Sequence, residues 1–198
     1  MLDRDLGRST DHVTVTPLSD GRVLLTGGLE LDSVIGLLVP TDRAVLFDPQ
    51  TGLFRELAAH LGVARTFHTS ASLPDGRALF FGGGTGLGSS IIEEFDPASE
   101  TIRTLPLELA TPRVVATALT LSTDLVIVIG GKTRFGRPPE KSTELLDYRT
   151  LKLSQGPDLP VGAGSGHVSF VSPDQHIVIF RPAADPASES AAVFITGR

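Results

Sequence analysis

Three histidines, His12, His68 and His167, each head a β-prone run, at 12–18, 68–73 and 167–171. Neutral imidazole ligates zinc, copper or nickel well, so three histidines brought to one point would make a metal centre. Their recurrence has a simpler origin: each bonds a neighbouring backbone, and the segment carrying it repeats. The third copy has Ala116 in that place, and His12 lies one residue out of register with His68 relative to the following Asp-Gly. No metal ligand set is assigned.

Gly82-Gly-Gly-Thr-Gly-Leu-Gly88 has the glycine density of a phosphate loop. Such a loop works between a strand and a helix whose N-terminus meets the phosphate. Here Ser89, Ser90, Ile91 and Ile92 follow, a second strand signal, so the glycines read as a strand exit with close backbone approach. No serine sits in a Gly-x-Ser-x-Gly elbow between strand and helix, since Gly162-Ala-Gly-Ser-Gly166 links two repeats. Glu93 and Glu94 point to opposite faces of one strand and cannot act as an acid–base pair. Cysteine is absent, which excludes disulfides, thiolate metal sites and a cysteine nucleophile. Neither a catalytic residue nor a cofactor follows from this inventory. What remains is a set of cations near loops, Arg43, Arg65, Arg113, Lys132, Arg134, Arg137 and Arg181, with Asp42 and Lys141 among them.

The elements that must position these groups repeat. Arg22-Val-Leu-Leu-Thr-Gly-Gly28, Arg77-Ala-Leu-Phe-Phe-Gly-Gly83 and Asp124-Leu-Val-Ile-Val-Ile-Gly-Gly131 end apolar runs in a glycine pair, at a period of about 50 residues. A fourth copy, Gln175-His-Ile-Val-Ile-Phe-Arg-Pro182, carries Arg181 and Pro182 in place of the glycines. Upstream of each run lies another strand and a turn: Ser19-Asp20-Gly21, Pro74-Asp75-Gly76, Ser122-Thr123-Asp124 or Ser172-Pro173-Asp174. Asp-Gly between β-prone runs signals a hairpin, because glycine adopts the positive φ the turn needs. Downstream, after a variable stretch, short strands end in aspartate at Asp48, Asp96 and Asp147, and a last strand begins near Leu53, Thr101 or Leu151. Each repeat therefore predicts four antiparallel strands. Such a sheet buries itself by stacking on its neighbours.

Composition agrees. Glycine (21) and proline (14) leave little room for long helices, while 40% hydrophobic residues is too many for disorder. A net charge of −6 and a pI near 5.3 argue against nucleic acid as partner. The charged segment Met1–Thr10 has no apolar run of the kind a signal peptide needs, and strips such as Leu125–Ile129 are too short to span a bilayer. A cytoplasmic location is the default expectation, with an exported parent as the alternative.

Histidine, strand, Asp-Gly-Arg, apolar strand, Gly-Gly, gap, then Phe-Asp-Pro resembles the kelch repeat. The best match runs from Arg65-Thr-Phe-His68 through Asp75-Gly76-Arg77 and Gly82-Gly83 to Phe95-Asp96-Pro97. The resemblance covers residues 11 to 196. It implies an all-β, kelch-type β-propeller of about four blades. The blades are at 11–58, 65–106, 112–156 and 165–196, preceded by a tail, 1–10, and the last blade lacks its final strand. Phe54, Ile102 and Leu153 take the place of the tryptophan usual in the fourth strand. Kelch propellers usually have more blades, so the resemblance leaves a closed four-bladed ring, an open arc, or an arc completed by a second copy or by further blades of a longer parent chain. The expectation is a partial propeller that self-associates or belongs to a longer parent chain. The copper radical oxidases of this class need a tyrosine–cysteine cross-link, which a chain with no cysteine cannot form.

Because strands alternate in direction, the loop after the second strand and the link between blades share one face. That face carries the seven cations and the longest loops, 29–42 and 132–142. Long loops on a rigid scaffold are where binding resides. The expectation is a non-catalytic module that binds a protein or an anionic or carbohydrate ligand there. The alternative is a kelch-type carbohydrate enzyme, mutarotase-, epimerase- or lyase-like, with its site near the axis. The small, uncharged runs Val13-Thr-Val-Thr16, Thr69-Ser-Ala-Ser72, Val115-Ala-Thr-Ala118 and Val168-Ser-Phe-Val171 favour the module.

Overall fold

The computed structural model describes residues 2–3, 10–164, 167–174, 176–181 and 191–196, with backbone alone at 2–3, 10, 181 and 191–196. Among these residues the chain is all strand, turn and loop, and no helix is long and apolar enough to cross a membrane. The first unit holds β1 (Leu2–Asp3), β2 (Thr10–Asp11), β3 (Thr14–Pro17), β4 (Val23–Thr26), β5 (Leu29–Asp32), β6 (Leu37–Pro40), β7 (Ala44–Asp48) and β8 (Leu53–Glu56). The second holds β9 (Thr69–Ser72), β10 (Ala78–Phe81), β11 (Ser89–Asp96) and β12 (Thr101–Arg113). The third holds β13 (Thr117–Thr120), β14 (Leu125–Ile129), β15 (Thr143–Asp147) and β16 (Lys152–Gln155), and the fourth β17 (Val168–Val171), β18 (His176–Arg181) and β19 (Ala191–Thr196).

The first three units are antiparallel sheets in the order first–second–third–fourth strand, and among the described residues the fourth is a sheet of three, β17–β18–β19. Aspartates end the third strands because each carboxylate accepts a backbone N–H two or three residues on: Gln50 at 2.8 Å, Ala98 at 2.9 Å and Thr150 at 3.0 Å. Two features differ from the sequence reading. Leu2–Asp3 adds an edge strand to the first sheet, with Leu2 opposite Arg55 and Asp3 opposite Phe54. The stretch 29–42, read as a loop, forms a separate sheet in the order β2–β5–β6. Its Leu-Glu-Leu-Asp alternation suits a strand, and Asp32 closes the turn by accepting the Val34 N–H at 2.8 Å.

Period-2 alternation gives every sheet two apolar faces. Leu18, Leu24, Ala44, Leu46, Leu57 and Leu61 of the first unit and its link meet Ala78, Phe80 and Phe95 of the second. Leu79, Phe81 and Ile92, on the opposite face of the second sheet, meet Ala118, Val126, Val128 and Leu146 of the third. Ile127 and Ile129 then meet Ile177 and Ile179 of the fourth. Burying each such Leu, Ile or Phe contributes about 1.5–3 kcal/mol, so these seams carry the fold. The first strands lie side by side, β3 by β9, β9 by β13 and β13 by β17. Hydroxyls cross between them: Thr14 Oγ1 donates to the His68 carbonyl at 2.8 Å, and Thr120 Oγ1 to the Ser72 carbonyl at 2.6 Å.

The glycine pairs explain how one unit receives the next. The link leaving each unit runs back over it as a strap, and the strap's carbonyl accepts the N–H of the second glycine. Gly28 donates to Arg65 at 2.9 Å, Gly83 to Arg113 at 2.8 Å and Gly131 to Ala163 at 2.7 Å. A Cβ on the first glycine would lie 2.4, 2.4 and 2.2 Å from those same carbonyl oxygens at Gly27, Gly82 and Gly130. Those glycines also have φ of 58°, 65° and 59°. Only glycine meets both conditions.

A buried ion pair reinforces two of the three seams. Arg65, on the strap entering the second unit, donates to the Gly82 carbonyl at 2.9 Å and pairs with Glu93 of β11. Arg113 repeats this in the third unit, reaching the Gly130 carbonyl at 2.5 Å and Glu144 of β15 at 2.9 Å. Each carboxylate also accepts a strap N–H three residues before its arginine, from Gly62 to Glu93 at 2.6 Å and from Ala110 to Glu144 at 2.7 Å. Burial lowers Arg65 to about 10, which still leaves it a cation at neutral pH.

Gly82→Ala is expected to destabilise the chain by more than about 2 kcal/mol, from left-handed strain plus a backbone clash. Gly36→Ala, with φ of 67° but open space around it, carries the strain alone and should cost about 1–2 kcal/mol. Urea melts of the two variants check the difference. Arg113→Met leaves Glu144 buried and uncompensated, an expected loss of about 3–5 kcal/mol, whereas adding Glu144→Gln should recover part of it.

Candidate functional site

The seven cations predicted for the loop face do not come together. Arg65 and Arg113 are each 1% exposed and bound within the seams described above, so they structure the stack and present nothing to a ligand. Arg43 is forked onto Glu56, Nε to Oε1 at 2.9 Å and Nη2 to Oε2 at 3.0 Å, with Glu30 at 3.6 Å. Arg181 closes β18, and its side chain lies outside the described residues. Lys132, Arg134 and Arg137 remain, all on the loop between β14 and β15. Arg134 and Arg137 are exposed, Lys132 is half-buried, and among the described residues none of the three is in an ion pair.

That loop is held in place. Val114 and Lys132 exchange both backbone hydrogen bonds at 2.9 Å. Further out it pairs with the loop after β10: Leu87 lies opposite Arg134, Gly88 donates to the Thr133 carbonyl at 2.7 Å, and the Phe135 N–H donates to the Gly86 carbonyl at 2.9 Å. The two loops form one ridge. A groove of about 610 Å³ borders it, lined among others by Arg137, Pro139, Glu140, Lys141 and Asp158. On the first unit, a groove of about 620 Å³ under the β5–β6 hairpin has the opposite character, with Glu30, Asp32 and Asp42 in its wall.

Sequence reasoning missed an aromatic row beside the ridge. The Phe67 ring lies 4.3 Å from that of His12 and 5.0 Å, edge-on, from that of Phe135. The row starts from a repeated backbone feature. His12, Phe67 and Val115 each sit two residues before a first strand at φ of 55°, 57° and 51°. Left-handed geometry is uncommon for such residues and rare for a β-branched one. It is fixed here by inter-unit bonds, the Val115 N–H donating to the Phe67 carbonyl at 3.0 Å and Thr66 Oγ1 to the His12 carbonyl at 3.4 Å. His12 therefore corresponds to Phe67 and Val115 in the repeat. The one-residue offset from His68 was the signal in the sequence.

The other two histidines are internal. His68 is buried with Nε2 2.9 Å from Thr26 Oγ1, and His167 Nε2 lies 2.6 Å from Thr117 Oγ1 while Nδ1 bonds the Gly164 carbonyl. Among the described residues no group of three or more His, Cys, Asp or Glu side chains is placed to hold a metal ion. Glu93 and Glu94 diverge, Glu94 turning to the rim where Arg103 and Tyr148 meet it.

Burial lowers His68 to about 3, helped by the Arg65 charge, and lowers His167 as well. The unfolded chain takes up the His68 proton near pH 6.5 and the folded chain near 3, so between these values the unfolded state binds more protons and stability falls as pH falls. The slope is at most about 1.4 kcal/mol per pH unit for one proton. The upper part of this window lies above the range where Glu100 and Asp20, held low by Arg55 and Arg22, titrate. Melting temperature should therefore decline on acidification from about pH 6.5 to 5, and His68→Gln should flatten that decline. An equally steep decline in the variant would count against a buried neutral His68.

No family model matches the chain, and no curated protein matches it. Among solved structures, that of YjhT aligns with 88% of the chain at a TM-score of 0.75 and 18% sequence identity. The chain spans 59% of the length of that structure. At this identity the likeness is one of fold.

Proposed function

We propose that the stacked sheets are blades of a kelch-type β-propeller and that the chain is a non-catalytic binding module. It takes an anionic ligand on the ridge formed by the loops after β10 and β14. The arrangement of His12, Phe67 and Phe135 beside Arg134 supports this reading. Aromatic faces pack against the C–H face of a sugar or an apolar side chain, and a flanking guanidinium takes a carboxylate or sulfate in fork geometry. The loop carrying Arg134 and Phe135 is tied by backbone bonds to the loop after β10, and the His12 and Phe67 carbonyls are held by bonds between units, so these groups are placed without the ordering cost of a free loop. A carboxylated or sulfated glycan and an acidic peptide share this chemistry.

The alternative of a carbohydrate-active enzyme with its site among the first strands has less support. Thr14, Thr16, Ser70, Ser72 and Thr120 use their hydroxyls in bonds between units, and His68 is neutral and buried.

Sulfated and carboxylated oligosaccharides, their neutral counterparts and acidic peptides, printed on one surface, separate the sources. Capture of an acidic class is expected. Replacing Lys132, Arg134 and Arg137 together by alanine should weaken it at least tenfold without lowering the melting temperature, and Phe135→Ala should weaken it less. Undiminished capture by the triple variant would overturn the assignment of the ridge.

A further inference from the structure

The small β2–β5–β6 sheet ends in an open edge: among the described residues no strand lies beyond β6. The Thr41 N–H donates to the Gly28 carbonyl at 3.0 Å, and the pairing runs on in that register, with Val39 opposite Glu30 and Leu37 opposite Asp32. Bonded pairs alternate in an antiparallel ladder, so Val39 and Leu37 bond β5 while Leu38 turns its N–H and C=O outward. Pro40 turns out a carbonyl and has no N–H. Such a row pairs readily with an extended chain, which is why edge strands usually carry charges or are covered. Leu37-Leu-Val-Pro40 carries no charge. Leu37 and Leu38 are 62% and 47% exposed, and Val34 and Ile35 at the turn are 90% and 58% exposed. Contiguous apolar surface of this kind marks an interaction site.

The two faces of the sheet differ in chemistry. By register one face holds Glu30 and Asp32 beside Val39 and Leu37, and the other holds Leu29 and Leu31 beside Pro40 and Leu38. The groove of about 620 Å³ belongs to the acidic side, where Asp42 adds a third carboxylate to its wall. Arg43 answers Glu30 at 3.6 Å, with its fork already on Glu56. Asp32 uses Oδ1 to accept the Val34 and Ile35 N–H groups, and Asp42 meets His60 at 3.2 Å. Among the described residues neither aspartate is in an ion pair with lysine or arginine. The wall is therefore negative, and it calls for a cation.

What fits this edge is a strand with the same two-sidedness. A strand added beside β6 lies about 4.8 Å from it and roughly twice that from β5. On the acidic side, lysine or arginine stems are long enough to cross Leu37 and Val39 and bring their head groups to Asp32 and Glu30. On the other side, aliphatic side chains meet Leu38 and Leu31. Main-chain bonds supply attachment, and the alternation of side chains supplies selectivity.

We infer that β6 is the docking edge for an extended segment of a partner protein in which cationic and aliphatic residues alternate, added as a fourth strand to β2–β5–β6. The inference is independent of the ligand reading of the ridge.

Fluorescence anisotropy with a short labelled peptide of alternating lysine and valine tests this. It should bind at least tenfold more tightly than a peptide with the same residues in two blocks, because only alternation matches both faces. Asp32→Asn together with Asp42→Asn should weaken binding at least tenfold, whereas Asp75→Asn with Asp174→Asn removes the same charge elsewhere and should leave it unchanged. Leu38→Pro deletes the outward N–H without touching the bonds to β5 and should abolish binding. If circular dichroism shows that this variant fails to fold, peptides N-methylated on the valines alone and on the lysines alone replace it. One should lose binding and the other keep it. Equal binding of the alternating and block peptides overturns the inference, as does equal behaviour of the two methylated peptides or binding that survives in a folded Leu38→Pro chain. So does a dimer of the chain that Leu38→Pro dissociates, which would give the edge to a second copy, or pelleting with phosphatidylcholine vesicles in place of peptide capture. The triple variant of Lys132, Arg134 and Arg137 should capture the peptide as the wild type does, so the two readings fail separately.

Discussion

The stack rests on one short contact: a strap carbonyl lowered onto a glycine that has no side chain to hold it off. The same oxygen takes the N–H of the next glycine, so a single peptide group fixes both the distance and the register between successive sheets. Apolar packing supplies the larger share of the stabilisation but is tolerant of small displacements. A hydrogen bond of 2.7–2.9 Å beside a position where a Cβ cannot fit is not. The glycine pairs are therefore the points at which self-similar sheets acquire one arrangement.

Once the sheets are fixed, the features around them follow. The first strands come close enough for threonine and serine hydroxyls to bridge them, and the residues before those strands are held in left-handed geometry by the bonds they make to the neighbouring unit. That geometry aims His12 and Phe67 along one line, which the loop carrying Phe135 extends. The aromatic row is a by-product of how units meet. Its chemistry depends on which side chains occupy a position that the backbone alone has made conspicuous.

The four sheets, their hairpins and the aspartates that end their third strands were legible in the sequence, because each depends on local signals: alternation, Asp-Gly turns and the spacing of Gly-Gly. The site was less so. Arg65 and Arg113 resemble surface cations in a list of residues, and only the third dimension shows that Glu93 and Glu144 face them from another strand. The sequence did hold a clue, in that each arginine precedes a first strand by the same distance. The β5–β6 hairpin was hidden by its position between two recognised strands, although Leu-Glu-Leu-Asp has the period of a strand. Phe67, just before β9, meets Phe135 on the loop after β14, a contact no periodicity encodes.

The buried ion pair has a bearing on how such a chain could grow or shrink. Arg65 and Glu93 belong to one repeat if the chain is divided at the straps, and so do Arg113 and Glu144. A segment copied or deleted between such points takes acid and base with it. Neither event strands a charge in the interior, which is the penalty that most often makes a rearranged protein fail to fold. A repeat cut inside its sheet would separate them. The straps are thus natural joints for recombination, and the length of the array is free to change while its interior stays neutral.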